Sequence, residues 1–468
     1  MIDWTRYPLN EKPKYRALQR LIEALIQQGL LLAGEQLPAE RQLAIQLGLN
    51  RSTVARAFDE LASAGFLERQ VGRGTYISQA ALTQMTHKRV NWHTYLTTQR
   101  RPKGQRIRQQ YQALIQQAPA GLIDGFSSDL PTELVPAFQL PALRWTDFVK
   151  AQELERPNGY QPLLAAVQQH YSSTLTVSQL LITAGAQQSL LLVLQGLLIP
   201  GEAVAIEQPS FFYDAAIFEV AGVRTYSAPC DAEGMLPAEL ERLIKQHRLK
   251  LVILNPNYQN PTGQVMGLKR RQALLALCQQ YQIPIVEDDV FGWLHFEQRP
   301  LPTLKELDPE NVIYISSLSK IMGSSTRIGW LAATPQVIQQ LAQIQAEMDV
   351  VPSIMAQQMV TLAMAEPQFK SQLQRLTRLL KARAQATYEA LTTAFPEWQI
   401  EQPRGGYYLW VQYGEHPRPL TDFINERVMV APGILFGSSI GTFRLNFARL
   451  DHVALTQLVE RLRLIFDI

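Results

Sequence analysis

Apolar residues follow three rhythms along this chain. In the first, Leu18, Leu21, Ile22, Leu25 and Ile26 recur at the three-and-four spacing of one helical face, and Gly29 closes the run. A second short helix is expected from Pro38 to Leu47, ended by Gly48. A third follows Asn50, whose side chain suits an N-cap; Val54, Phe58 and Leu61 point one way along it until Gly65. The stretch FLERQVGRGTYIS then predicts two strands around a glycine turn at Gly72–Gly74. In the second rhythm, over residues 79–120, no period persists beyond a short helix expected within Ile107–Gln117. In the third, from Leu122 onward, strand-like runs alternate with helical patterns: LLIT (180–183), EAVAIE (202–207), LVILN (251–255), IPIVED (283–288) and VIYISS (312–317). That alternation predicts an α/β fold with a mostly parallel sheet, helices on its faces, and functional residues at the carboxyl ends of the strands.

The rhythms divide the 468 residues into an N-terminal unit (1–78), a linker (79–120) and a large C-terminal domain (121–468). Apolar residues make up 46% and charged residues 18%, a globular balance with material for large cores. Two cysteines, Cys230 and Cys278, are too few for a disulfide framework and fit a reducing compartment. The N-terminus lacks the pattern of a signal peptide, and the longest apolar run, around Leu190–Ile199, is interrupted by Gln195 and too short to span a bilayer. A cytoplasmic protein with no membrane partner and no metal site is expected. Charge is uneven: residues 1–78 carry ten basic and eight acidic side chains, and 79–120 carry seven basic and no acidic ones, so the remainder is net acidic. A basic linker suits phosphate contact and suits equally a plain solvated spacer.

Three short helices and a hairpin make a helix-turn-helix with a wing. Its recognition helix presents Asn50, Arg51, Ser52 and Thr53 first, with Arg69 and Arg73 on the wing. Arginine can read guanine edges and small hydroxyls can reach phosphates, although the same shape also serves protein contacts. The string LPAERQLAIQLGLNRSTVARAFDELASAGFLERQVGRGTYIS resembles the GntR family of winged-helix repressors. The resemblance implies double-stranded DNA as partner and places Arg41, Arg51, Thr53 and Gly72 at DNA-contacting positions. Ala55 stands where many members have another arginine, a departure that bears on strength or sequence preference.

The strand ends of the large domain carry an ordered set of motifs. AGAQQSLL follows LLIT, a glycine turn before a long helix that suits an anion. QPSFFYD follows AVAIE, PNYQNPTG follows LVILN, Glu287-Asp288-Asp289 ends IPIVED, and SLSK with Arg327 follows VIYIS. Singly each is an ordinary turn, helix start or solvated charge. Together they resemble fold-type I enzymes that use pyridoxal 5'-phosphate, the aspartate aminotransferase superfamily, over roughly residues 121–468. That chemistry needs an amine for a Schiff base (Lys320) and a carboxylate beside the pyridine nitrogen (Asp288). It also needs a donor for the phenolic oxygen (Asn260) and a ring to stack (Phe211). The phosphate dianion needs a pocket, here the backbone at Ala186 and Gln187, Ser317, Ser319 and Arg327. By the same resemblance Arg444, in GTFRLNFARL, binds a substrate or effector carboxylate, and PRGGYYLWV (403–411) matches the glycine-pair strand of the small domain. Two positions depart. Phe291 stands where many aminotransferases have a tyrosine bonding the cofactor's phenolic oxygen, and Leu154 where a tyrosine reaches the neighbouring subunit's phosphate.

Both halves together resemble the MocR subfamily of bacterial regulators. The resemblance implies a homodimer, head-to-tail, that binds DNA and senses an amino compound or the cofactor itself through a Schiff base on Lys320. Two rival expectations use the same residues. One is a working aminotransferase of the 2-aminoadipate or aromatic type that carries a DNA-binding unit; the other is a sensor of cofactor level with no amino effector.

Overall fold

The computed structural model describes residues 2–78 apart from 8, 10 and 71, residues 109–111 and 113, and residues 121–467 apart from 172–174, 298 and 299. The chain divides into two compact units, Met1–Arg101 and Pro102–Ile468. Most of the 79–120 segment lies outside the described residues; of the helix expected over Ile107–Gln117, residues 109–111 and 113 are helical.

The first unit contains α1 (Lys14–Gln27), α2 (Glu40–Leu47) and α3 (Arg51–Ser63), then an antiparallel ribbon of β1 (Leu67–Gln70) and β2 (Gly74–Ile77). The apolar stripe of α1 (Leu18, Ile22, Leu25, Ile26) closes on Leu43 of α2 and on Val54, Phe58 and Leu61 of α3, all fully buried. Gly48 ends α2 in the left-handed region (φ 62°), which turns the chain straight into α3. Two expectations need correction. Helix α2 opens at Glu40, two residues beyond Pro38, with Ala39 as an N-cap lacking a side-chain acceptor. Asn50 occupies the N-cap of α3, but its exposed side chain makes no capping bond; water can serve it instead. Trp4, on which the helical pattern was silent, is buried in this core through the short turn Trp4–Arg6.

In the second unit an eight-stranded sheet comprises β3 (Leu180–Thr183), β4 (Ala203–Gln208), β5 (Arg224–Asp231), β6 (Gly234–Met235), β7 (Leu251–Leu254), β8 (Ile285–Asp288), β9 (Val312–Ser317) and β10 (Gly329–Ala332). Its order is β3-β10-β9-β8-β7-β4-β5-β6. Strands β9, β8, β7, β4 and β5 run parallel, whereas β10 runs antiparallel to both β9 and β3. The near-continuous apolar strands are buried on both faces, as parallel sheets require. Because β10 is reversed, its first residue, Gly329, pairs with the last residues of β9 and β3, Ser317 and Thr183. The residues just before β10 therefore share one edge with the carboxyl ends of the parallel strands. Helix α4 (Ala186–Leu197) starts at that edge, directly after β3.

A smaller antiparallel sheet follows, in the order β11 (Gln399–Ile400), β12 (Tyr408–Gly414), β14 (Gly441–Asn446), β13 (Ala431–Pro432). The long helices α5 (Phe369–Ala394) and α6 (His452–Phe466) contribute to the core it shares, where Phe395 stacks on Trp398 at 4.0 Å. Among the described residues no helix is long and apolar enough to cross a membrane, and both cysteines are free.

Candidate functional site

A cavity of about 250 Å³ opens at the carboxyl edge of the large sheet. Ala186, Gln187, Phe211, Asn260, Asp288, Ser317, Ser319, Lys320 and Arg327 all line it, so strand-end placement brings together every cofactor residue expected from the sequence. Arg444 does not line it.

One end is built for an anion. Gly185, the N-cap of α4, has φ 112°, a conformation open to glycine, and leads into the first-turn amides of Ala186 and Gln187. A Cβ on Gly185 would lie 3.7 Å from Nη1 of Arg327 and fill the space between amides and guanidinium. Arg327 itself sits at φ 48°, an unusual conformation for a side-chain-bearing residue. The Ser317 hydroxyl donates to the Ile328 carbonyl at 3.0 Å and lies 3.1 Å from the Ser319 hydroxyl. Ser324, in the turn after Lys320, also lines the cavity; no sequence pattern singled it out.

The other end holds acid and amine. In strand β8 successive side chains leave on opposite faces, so the last residue, Asp288, is turned away from Glu287. Glu287 accepts the amides of Leu304 and Lys305 at 3.0 and 2.9 Å. Asp289 accepts from Asn257 Nδ2 (3.0 Å) and the Tyr314 hydroxyl (2.9 Å). Asp288 faces the cavity, and its buried Oδ1 has no hydrogen-bond partner. Burial, and then the charge of Asp289, push the Asp288 carboxyl up to about 7, against a smaller opposing pull from Lys320. The Lys320 amine donates to the Ser128 carbonyl at 2.9 Å. An acid with one buried, unpartnered oxygen, an amine and an anion cradle in one cavity fit a protonated pyridine, an aldehyde and a phosphate.

Asn260 is fixed by its backbone: its amide donates to Asn255 Oδ1 (2.7 Å) and its carbonyl accepts from Phe211 N (2.9 Å). Its Oδ1 accepts from Arg444 Nη1 at 2.8 Å, while Arg444 Nη2 donates to the Phe126 carbonyl at 3.1 Å and the guanidinium lies 4.0 Å over the Tyr408 ring. The expected carboxylate arginine is thus one residue removed from the cavity, held by groups that an incoming carboxylate would have to replace. Phe291 is fully buried, edge-on to Tyr407 and Tyr408 at 5.0 and 5.3 Å. Leu154 is 46% exposed and does not line the cavity.

In the first unit Arg41, Asn50, Arg51 and Ser52 are exposed and Thr53 is half-buried at the start of α3. Arg73 is exposed in the wing turn, beside Gly72 at φ 75°. Arg69, expected on the wing, lies on its strand β1 and is exposed, within reach of acids on α2 and α3. It pairs with Asp59 (2.9 Å) and Glu40 (3.3 Å), and Glu40 also holds Arg51 at 3.4 Å. Exposed pairs of this kind are weak, so both arginines can exchange carboxylate for phosphate at little cost.

Residues 14–77 match the family described as bacterial regulatory proteins, gntR family, and residues 125–462 match aminotransferase class I and II. The chain is 30% identical over 455 residues to the uncharacterized HTH-type transcriptional regulator YdfD of Bacillus subtilis (strain 168), covering 94% of this chain and 93% of the relative. The chain is a MocR-type GntR–aminotransferase fusion. A second HTH-type regulator of the same organism, YisV, is 30% identical over 460 residues, covering 95% of this chain and 94% of its own length. Among solved structures, LysN, an α-aminoadipate aminotransferase from Thermus thermophilus complexed with N-(5'-phosphopyridoxyl)-L-leucine, is 28% identical. The match covers 75% of this chain and 94% of LysN at a TM-score of 0.65. This fusion is therefore an HTH-type transcriptional regulator. Its GntR unit implies DNA binding, and its large domain belongs to a family that binds pyridoxal phosphate.

Proposed function

We propose that this chain regulates transcription by holding pyridoxal 5'-phosphate at Lys320 and by coupling the arrival of an amino compound there to DNA binding. The observation that carries the reading is Asp288, whose buried Oδ1 has no hydrogen-bond partner, in the lining of the cavity that Lys320, Gly185 and Arg327 share. When bound, the cofactor supplies an aldehyde that condenses reversibly with primary amines. The chain's own residues divide the rest of the work. Asp288 would pair with the ring nitrogen, and Phe211 would lie against the ring. Asn260 would donate to the phenolic oxygen. The first amides of α4, with Ser317, Ser319 and Arg327, would hold the phosphate. Arg444 would exchange Asn260 and the Phe126 carbonyl for an effector carboxylate, which gives the small sheet bearing Arg444 two arrangements to choose between.

In the first unit, Arg41, Arg51 and Thr53 would contact duplex DNA from α2 and α3, with Asn50 and Ser52 beside them, and Arg69, Gly72 and Arg73 from the wing. Residues 79–120 would link the units. A head-to-tail homodimer in the cytoplasm completes the proposal. It is supported by the apolar side chains that the lone chain leaves exposed around residues 145–154: Trp145 at 71%, Val149 at 55% and Leu154 at 46%. Turnover as an aminotransferase would use the same lysine, aspartate and arginine, but Phe291 brings no hydroxyl to the site, which favours sensing.

The test uses full-length protein and duplex DNA that the protein itself has selected in vitro. DNA affinity is measured with pyridoxal phosphate present, with and without a panel of amino acids and amines. At least one amino compound is expected to change affinity by about fivefold or more, the lower range of allosteric coupling, and Lys320→Ala is expected to abolish the response. A Lys320→Ala protein that responds as the parent does would contradict the reading.

A further inference from the structure

The Ser128 carbonyl oxygen receives three donors: Tyr407 Oη at 2.8 Å, Lys320 Nζ at 2.9 Å and Tyr408 Oη at 3.3 Å. A carbonyl offers two lone pairs, so the third and longest of these bonds is the weakest. The Lys320 nitrogen also lies 5.7 Å from the Phe291 ring centre and 5.8 Å from that of Tyr407. Two aromatic walls and one shared acceptor thus surround the amine. Neither sheet edge nor motif order explains why two tyrosines reach the same oxygen, and the wall at 291 has no hydroxyl of its own.

We propose that Tyr407 is the positioning residue that lets Lys320 leave the Ser128 carbonyl for the cofactor aldehyde; this inference rests on the cofactor reading above. Attachment consumes the Lys320 amine and one aldehyde. The ammonium first gives a proton to solvent, nitrogen then bonds to the aldehyde carbon, and one water leaves with the aldehyde oxygen, so nothing is oxidised or reduced. After that step Lys320 no longer donates to Ser128. Ser128 is half-buried in the cavity lining, so a cofactor filling that cavity would leave an undonated carbonyl there short of water, which carries a free-energy penalty. Tyr407 removes the penalty because its hydroxyl stays on the oxygen. Its phenol is completely buried, and burial, with Tyr408 beside it, pushes its ionisation well above the ordinary range, so it remains a donor at working pH. Tyr408 contributes less through its longer bond. Released again by an amine ligand, Lys320 returns to an oxygen that has room for it. Tyr407 therefore sets the balance between attached and released lysine.

Tyr407→Phe keeps the ring and removes the hydroxyl. In the full-length protein, covalent attachment to Lys320 is read as the fraction of bound pyridoxal phosphate that borohydride fixes. Non-covalent affinity is read with pyridoxamine phosphate, which has no aldehyde. The equilibrium constant for attachment is expected to fall about tenfold, the fold-change that matches one lost hydrogen bond, while pyridoxamine phosphate binds as before. Tyr408→Phe is expected to move attachment less. A merely structural role would weaken both ligands together. Should Tyr407→Phe fail to fold, Tyr407→Met fills similar space without a hydroxyl and carries the same comparison. Unchanged attachment in a folded variant overturns this inference and leaves the cofactor reading standing. A parent protein that binds neither vitamer overturns that reading, and this inference with it.

Discussion

Phe58→Ala is expected to destabilise the N-terminal unit by about 3–5 kcal/mol, the range for truncating a buried aromatic side chain. Phe58 is fully buried, in the same core as Leu18, Ile22, Val54 and Leu61. A unit of this size has a total stability of roughly 4–11 kcal/mol, so one truncation removes a large share of it. The recognition helix α3 carries Phe58 on its inner face and Arg51, Ser52 and Thr53 at its first turn; losing the inner face loses the presentation of the outer one. DNA affinity should therefore collapse. Because the large domain has separate cores, pyridoxal phosphate uptake should stay at the parental level. Calorimetry and a DNA-binding isotherm on the same sample check both halves of the expectation. Parental DNA affinity in the variant would show that α3 is held by something other than this core.

Asp288→Asn should act in opposite directions with and without cofactor. In the cofactor-free protein the carboxyl titrates at about 7, raised first by burial and then by Asp289, whereas in the unfolded chain it titrates near 4. A folded-state value above the unfolded one means that stability is fully present below pH 4 and is lost as pH rises toward 7. Asparagine does not titrate. Between pH 5 and pH 8 the variant should therefore gain about 2.5 kcal/mol relative to the parent. Any constant packing penalty of the amide cancels in that comparison. Glu207 and Glu287, buried and raised to about 7 and 8, titrate in both proteins and cancel largely as well. With cofactor the sign reverses: the ring nitrogen loses its counter-charge, and affinity should fall by about one to two orders of magnitude. Thermal melts at the two pH values, and a titration with pyridoxal phosphate, read the two effects separately. Equal pH dependence in parent and variant would mean that Asp288 is not the buried acid it is taken to be.

Much of this site was legible because the chemistry sits where β-strands end. Each apolar run announced its own terminus, and the polar residues just beyond it, from the Gly185 turn to Lys320 and Arg327, converge because one sheet edge gathers them. Reversal of β10 was not legible, since apolar runs look alike in either direction; it is nonetheless what brings Arg327 to the edge. Glu287 and Asp289 read as ordinary turn acids, whereas the fold buries both and leaves Asp288 half-buried in the cavity lining. Ser128 escaped notice for a simpler reason. It acts through its backbone carbonyl, which every residue has, and its donors lie roughly 190 to 280 positions away in sequence. Arg444 was found by resemblance, but its turn toward Asn260 and Phe126 is a tertiary fact. In the first unit the helical stripes predicted the core well, whereas the capping role expected of Asn50 failed because an exposed amide need not cap. Trp4 belongs to a segment too short to show a period.

The most direct test of the account is the visible absorption of the purified full-length protein after incubation with pyridoxal phosphate, followed by borohydride reduction and peptide mapping. The account predicts a visible band that reduction removes, with the phosphopyridoxyl group recovered on the peptide containing Lys320 and absent from Lys320→Ala. A protein that stays colourless with excess pyridoxal phosphate, or one that carries the group on another lysine, would contradict it.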